Sequence, residues 1–258
     1  MRKFIILCKY FILKAIQIIS PNTLISKRNN PPDYIELDLI DRELIQKILS
    51  KRLTMCSSSN LSFTLYACKQ VIKEKIQGDF VEVGVWRGGH LVAAGKSFAG
   101  TNRKIIGFDS FTGMSRPNSN EYNLRTKKLA LTRYIELLNG KGWKSPSALD
   151  LENTLAGELK DVTNIRIVPG DIRKTLQAIN SLSLSKISVL RIDVDWYDLT
   201  LITLEKLYPL VSERGIIIVD DYGSWSGCKL AIEDYFFNNN ISYSLFPVDD
   251  SARFWVKN

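Results

Sequence analysis

From Asp79 onward the chain alternates short β-rich runs with helix-compatible segments, and this alternation restricts the fold more than any other feature. The runs are DFVEVG (79–84), KIIGFD (104–109), NIRIVPG (164–170), KISVLRID (186–193) and RGIIIVDD (214–221). Strands that are apolar almost throughout must be covered on both faces, and parallel neighbours need a crossover segment between them. The pattern therefore predicts an α/β domain with a mostly parallel sheet and helices on both faces. The tail breaks the pattern. ISYSLFPVDDSARFWVKN holds two strand-like runs around Asp249, Asp250 and Ser251, which predicts a hairpin adding an antiparallel edge. Upstream, residues 41–55 and 59–77 read as helices, the second placing Leu61, Leu65, Cys68, Val71 and Ile72 on one face. The polar stretch 115–161 is expected to hold one or two helices and a loop above the strand ends, where loops commonly set specificity.

A chain of 258 residues with 45% hydrophobic and 24% charged positions can bury the core of one large domain. Residues 39–258 are assigned to it. Residues 1–38 form a separate N-terminal part, a basic amphipathic helix followed by a Pro- and Asn-containing linker. Lys9 and Lys14 interrupt its apolar run short of the ~20 residues a spanning helix needs. Its apolar face suits an anionic membrane surface, a second subunit or the domain itself, and amphipathicity does not separate these. The four cysteines, Cys8, Cys56, Cys68 and Cys228, show no metal spacing and fit reduced, mostly buried thiols in a cytoplasmic protein. One histidine, His90, argues against a His-rich zinc site or a His-dependent triad. A lone His is expected to be structural or solvated rather than a substrate contact.

Charge raises the central question. The chain has a formal net charge of +8, yet it gathers acids where two strands end. Asp193, Asp195 and Asp198 follow the run ISVL, and Asp220 and Asp221 follow GIIIV. Buried carboxylates repel one another unless a positive charge sits among them. Asp193, Asp220 and Asp221 converging at strand carboxyl ends suit a hard divalent cation such as Mg²⁺; capping and surface solvation are the bland alternative. Two further motifs point to a nucleoside. In DFVEVGVWRGGHLVAAG a strand ends in Gly84 and a glycine-rich turn leads to a helix, without the GxGxxG spacing of a dinucleotide fingerprint. Asp109 then closes the second run, at a place where an acid accepts bonds from ribose hydroxyls or caps a helix. In IVPGDIRKTL, Asp171 and Ile172 would meet an adenine ring, or Asp171 would serve as an N-cap. Trp196, Tyr197, Tyr222 and Trp225 flank the acids, as a sugar-stacking wall or as core.

With these residues in hand, the chain resembles the macrocin-type O-methyltransferases, class I enzymes that use S-adenosylmethionine to methylate sugar hydroxyls. The matching strings are FVEVGVWRGG, GFDSFTGM, LRIDVDWYDLT, LEKLYPLVSERGIIIVDDYGSWSGCKLAIEDYF and ARFWVK, across roughly residues 78–258. The resemblance implies a Rossmann-like methyltransferase sheet. It implies a methyl donor held by Glu82, Gly84, Val85, Asp109, Ser110, Asp171 and Ile172, and Mg²⁺ bound by Asp193, Asp220 and Asp221. Asp193 doubles as the expected general base, with Asp195 the alternative. The chain departs from the family at Asp198 and Leu199, before Thr200, and in SERGII in place of a Gly–Gly turn. The expected partner is a small-molecule or lipid-linked glycoside rather than nucleic acid, with self-association left open. Competing readings are a nicotinamide oxidoreductase on a similar sheet and a non-catalytic membrane-associated module.

Overall fold

The computed structural model describes residues 37–139, 145–177 and 184–258. The expected N-terminal helix and most of its linker lie outside the described residues. Seven strands form one sheet in the order β3-β2-β1-β4-β5-β7-β6. They are β1 (Asp79–Val83), β2 (Ile105–Asp109), β3 (Ile165–Pro169), β4 (Ile187–Ile192), β5 (Val211–Val219), β6 (Phe246–Pro247) and β7 (Arg253–Val256). The first five pair in parallel, and β7 runs antiparallel to β5. This is the mostly parallel sheet with an antiparallel C-terminal edge that the alternation predicts.

The helices are α1 (Leu39–Ser50), α2 (Ser58–Lys73), α3 (Gly89–Ser97), α4 (Ala130–Asn139), α5 (Ala148–Glu158), α6 (Ile172–Thr175), α7 (Tyr197–Leu207) and α8 (Ser226–Asn238). They cover both faces. On one, Phe80, Ile105, Val189 and Ile218 pack with Leu61, Phe63 and Leu65 of α2 and Leu91 of α3. On the other, Val81, Ile106, Leu190 and Ile217 pack with Leu204 of α7 and Ile232 of α8. Alternating strand residues thus feed two separate cores. Ser57 starts α2 by accepting from the Asn60 N–H at 3.1 Å, and Ser147 with Asp150 forms a capping box on α5.

Several boundaries differ from expectation, among them those of the helices expected at 41–55 and 59–77, which end at Ser50 and Lys73. β5 begins at Val211, because Ile187 pairs with Val211 and Val189 with Ile216, so a bulge fits the intervening residues. In the tail only Phe246 and Pro247 pair with β7. Tyr243 stacks on Phe236 of α8 at 4.0 Å between ring centres, which keeps that part of the chain on the helix instead of on the ladder. Asp249 makes the turn, with Oδ1 accepting from Ser251 N and Ala252 N at 2.8 Å. Among the described residues no helix is long and apolar enough to cross a membrane. Cys56, Cys68 and Cys228 are free thiols, the last two buried.

Candidate active site

The carboxyl ends of β1, β2, β4 and β5 surround a cavity of about 470 Å³. Hydrogen bonding continues past the strand ends: Asp193 N–H donates to Val83 O at 2.9 Å and Asp220 N–H to Ile192 O at 2.9 Å. The acids are therefore held in sheet register as they leave it. Glu82, Gly84, Val85, Asp109, Ser110, Asp171, Ile172, Asp193, Asp195, Asp220 and Asp221 all line this one cavity. Every residue singled out for donor or metal binding is brought to the same space.

On the donor side, Gly84 has φ +89°, and a Cβ built on it would lie 1.8 Å from the Asp193 carbonyl oxygen. No other residue type fits where β1 passes β4. Asp109 anchors the turn that follows. Its Oδ2 accepts from Val85 N and Trp86 N, both at 2.9 Å, and its Oδ1 from Phe111 N at 2.8 Å. These bonds hold Trp86 and Phe111 in left-handed backbone, at φ 45° and 54°. Both lone pairs of Oδ2 are used, so Oδ1 is the oxygen with room for a further donor such as a ribose hydroxyl. Ser110 Oγ accepts from Thr112 N at 3.2 Å. Asp171 does act as an N-cap, accepting from Arg173 N at 2.9 Å and pairing with the Arg173 side chain at 3.2 Å. Ile172 beside it is buried, with its surface on the cavity. Glu82 is 1% exposed, and its Oε2 has no hydrogen-bond partner. Burial pushes its pKa up to about 8, against the opposing pull of Arg191.

The acid cluster has an occupant that sequence reasoning missed. Arg191, on β4, is 0% exposed and directly paired with Glu82 in the sheet register. Its Nη1 lies 3.1 Å from Asp193 Oδ2, its Nη2 3.0 Å from Asp220 Oδ1, and its Nε 3.5 Å from Glu82 Oε1. Nη2 also reaches Cys56 Sγ at 3.0 Å and His90 Nε2 at 3.1 Å. The positive charge among the acids is thus partly a side chain. Its signal was in plain view, a lone charge inside the apolar string SVLRI. Asn60 Nδ2 of α2 donates to the same Asp220 oxygen.

The cluster divides in two. Among the described residues, the group whose ligand atoms lie within 4.8 Å of one another is Cys56, Asp193 and Asp220. Asp221 sits apart from it, with Oδ2 accepting from Asp195 N at 3.0 Å. Consecutive strand residues point to opposite faces, so Asp220 and Asp221 separate. The oxygens facing Arg191 are one from each of Asp193 and Asp220, so each carboxylate has a second oxygen for another cation. Burial, then Asp220, raises Asp193; burial, then Asp195, raises Asp221. Asp195 has left-handed backbone at φ 61°, and burial followed by Asp220 pushes it up to about 7. Acids this crowded supply the oxygen ligands a hard divalent cation takes, and Cys56 places one thiol at the same wall.

His90 is buried in the cavity wall and held by protein partners. It is 3% exposed, and its Nε2 accepts from Arg191, so its Nδ1 carries the proton and donates to Thr64 Oγ1 at 2.9 Å. Burial, then Arg191, holds its pKa well below the usual range. The four flanking aromatics do not form a cavity wall among the described residues. Trp196 is fully buried, donates its indole N–H to Ser115 O at 2.7 Å and packs edge-on against Trp225 at 4.9 Å. Trp86, Met55 and Met114 line the cavity instead.

A strand order of this kind, with a ligand cavity at the carboxyl ends of β1, β2, β4 and β5, is that of a class I methyltransferase. The model of the macrocin-O-methyltransferase (TylF) family matches residues 26–257, and the chain belongs to that family. The match extends upstream of the strings visible in the sequence, into the segment assigned to the linker. Among characterised relatives, the 8-demethyl-8-(2,3-dimethoxy-alpha-L-rhamnosyl)-tetracenomycin-C 4'-O-methyltransferase of Streptomyces olivaceus is 30% identical over 210 residues, covering 78% of this chain and 74% of that protein. The demethyldecarbamoylnovobiocin O-methyltransferase of Streptomyces niveus is 30% identical over 208 residues, covering 79% and 75%. The solved structure of the O-methyltransferase NovP superposes with a TM-score of 0.67 at 28% identity, over 80% of this chain and 82% of that one. The protein is an O-methyltransferase.

Proposed function

We propose that this enzyme transfers a methyl group from S-adenosylmethionine to a sugar hydroxyl of a natural product or surface glycan, with Mg²⁺ as its metal. The observation that carries this reading is the single cavity shared by the donor-side residues and the acid cluster. Glu82 Oε2, a buried acceptor without a partner on the cavity wall, suits the ammonium of a cationic donor. The relatives from Streptomyces olivaceus and Micromonospora griseorubida, the latter a mycinamicin III 3''-O-methyltransferase 26% identical to this chain, carry sugar positions in their names.

Of the three acids expected to bind the metal, Asp193 and Asp220 would hold it, while Asp221 lies apart from that pair; when bound, the metal would act as a Lewis acid on the acceptor oxygen. The chain's own residues do the remaining work. Gly84 and the turn anchored by Asp109 fix the donor, and positioning the methyl in line supplies much of the acceleration. A carboxylate takes the hydroxyl proton as the O–C bond forms and the S–C bond breaks. Asp193 was the base expected from sequence. Asp193 is engaged by Arg191 through Oδ2 and stands beside Asp220 as a metal ligand, whereas Asp195 has no such ion pair and faces the cavity. The base role is therefore assigned to Asp195, with Asp193 as a metal ligand.

Calorimetry with S-adenosylmethionine and with NAD, each with and without Mg²⁺, tests the reading. Binding of the first alone supports it, and binding of NAD alone would replace it with the oxidoreductase. Chelation should abolish methyl transfer and leave donor affinity largely intact; full turnover after exhaustive chelation would exclude the metal. Asp109→Ala should weaken the donor by at least ~10-fold, since it removes charge-assisted bonds worth about 1.5–3 kcal/mol each from the turn. Unchanged donor affinity in that variant would remove Asp109 from the pocket.

A further inference from the structure

Arg191 lies behind the cavity wall. Glu82, Asp193 and Asp220 line the cavity, but the guanidinium that touches all three does not. It has no surface from which to meet a ligand, being 0% exposed. Its contact with Asp220 is a hydrogen bond, while Nε and Nη1 face Glu82 and Asp193 as ion pairs without one, and removing the guanidinium would leave three carboxylates without their shared partner. The side chain is also held in place from behind. Cys56 Sγ at 3.0 Å and His90 Nε2 at 3.1 Å both accept from Nη2. His90 is fixed in turn by Thr64, whose hydroxyl reaches the Asn60 carbonyl at 3.4 Å. This chain of contacts ties α2 and α3 to the ends of β1, β4 and β5. Cys56, which also lines the cavity, lies 3.4 Å from Asp220 Oδ1 and 3.7 Å from Asp193 Oδ2, so the thiol contacts both the guanidinium and its acids.

We propose that Arg191 is a built-in counter-cation, a positioning residue that keeps Glu82, Asp193 and Asp220 gathered and aimed before donor or metal arrives. The inference rests on the reading of the cavity as the donor and metal site. Glu82 belongs to the donor half and Asp193 and Asp220 to the metal half, so one charge sets the geometry of both. The same charge repels a second cation, which keeps the metal affinity below what the bare acids would give.

The test is thermal unfolding of the full chain with and without Mg²⁺, beside turnover. Without metal, Arg191→Met should melt about 10 °C below the native protein, and saturating Mg²⁺ should recover most of that loss. The native protein should move only a few degrees with Mg²⁺. At saturating Mg²⁺ and donor, turnover of the variant should still be lower by about 10²-fold, because the metal restores charge but not aim, and Arg191→Lys should restore part of it. An equal melting loss with and without Mg²⁺, with turnover near native, would reduce Arg191 to packing and overturn the proposal. A metal-free arm separates the two readings. Arg191→Met with Asp220→Asn should recover at least half of the melting loss of Arg191→Met alone, since one uncompensated acid is gone; additive losses would overturn the counter-cation role. If Mg²⁺ moves neither protein while the double variant recovers, the metal reading fails and Arg191 keeps its role. Should Arg191→Met fail to accumulate, the double variant is compared with Asp220→Asn. Similar melting supports the proposal, and failure of the double variant to fold overturns it.

Discussion

Asp195→Asn should lower turnover by about 10²–10⁴-fold at saturating donor and Mg²⁺, the range typical of losing a general base. Donor and metal affinities should be nearly unchanged, because Asp195 is neither the Glu82 side of the cavity nor part of the Asp193–Asp220 pair. Asp193→Asn should fail differently. It removes a charge that pairs with Arg191 at 3.1 Å and stands beside Asp220, so Mg²⁺ should bind more weakly and part of the lost turnover should return at high Mg²⁺. Methylation rates of both variants across a Mg²⁺ titration separate the two roles. A normal rate in Asp195→Asn, with a loss in Asp193→Asn that no metal concentration repairs, would return the base to Asp193.

Gly84→Ala should destroy donor binding and strip several kcal/mol of stability. Backbone at φ +89° alone costs an L-residue about 1–3 kcal/mol. The added methyl would also overlap the Asp193 carbonyl oxygen at 1.8 Å, which is backbone and cannot rotate away. β1 and β4 would have to part where the register pairs Val83 with Ile192. The strain thus reaches the donor turn and the metal strand together. Calorimetry should find donor affinity down at least ~10²-fold, metal affinity reduced with it, and a clearly lower melting temperature. A variant that melts and binds as the native protein does would mean that the two strands separate easily, and the close approach would lose its meaning.

The sheet was legible because each strand carries its own local evidence. Apolar runs such as KISVLRID and RGIIIVDD lie between helix-compatible segments, and the linear order of strands and crossovers leaves few ways to build a parallel sheet. Their acidic ends were legible for the same reason, since a strand end that binds a ligand is contiguous in sequence with the strand. Gly84, Asp109, Asp171, Asp193, Asp220 and Asp221 therefore reached one cavity as expected. What sequence order does not carry is which residues from different elements meet across it. Arg191 joins Glu82, Cys56, His90 and Asp220 from positions 29 to 135 residues apart, and no local pattern encodes that meeting. Likewise Asp220 and Asp221 read as one pair, yet the pleat sends them to different partners, Arg191 and the Asp195 backbone. Trp196 looked equally suited to a sugar wall or a core, and only the packing of Ser115 and Trp225 around it made it core. The sequence by itself determined the sheet, its acidic rim and the family. The tertiary structure decided how the charges on that rim are shared, because Coulomb interactions depend on distance in space and not on separation along the chain.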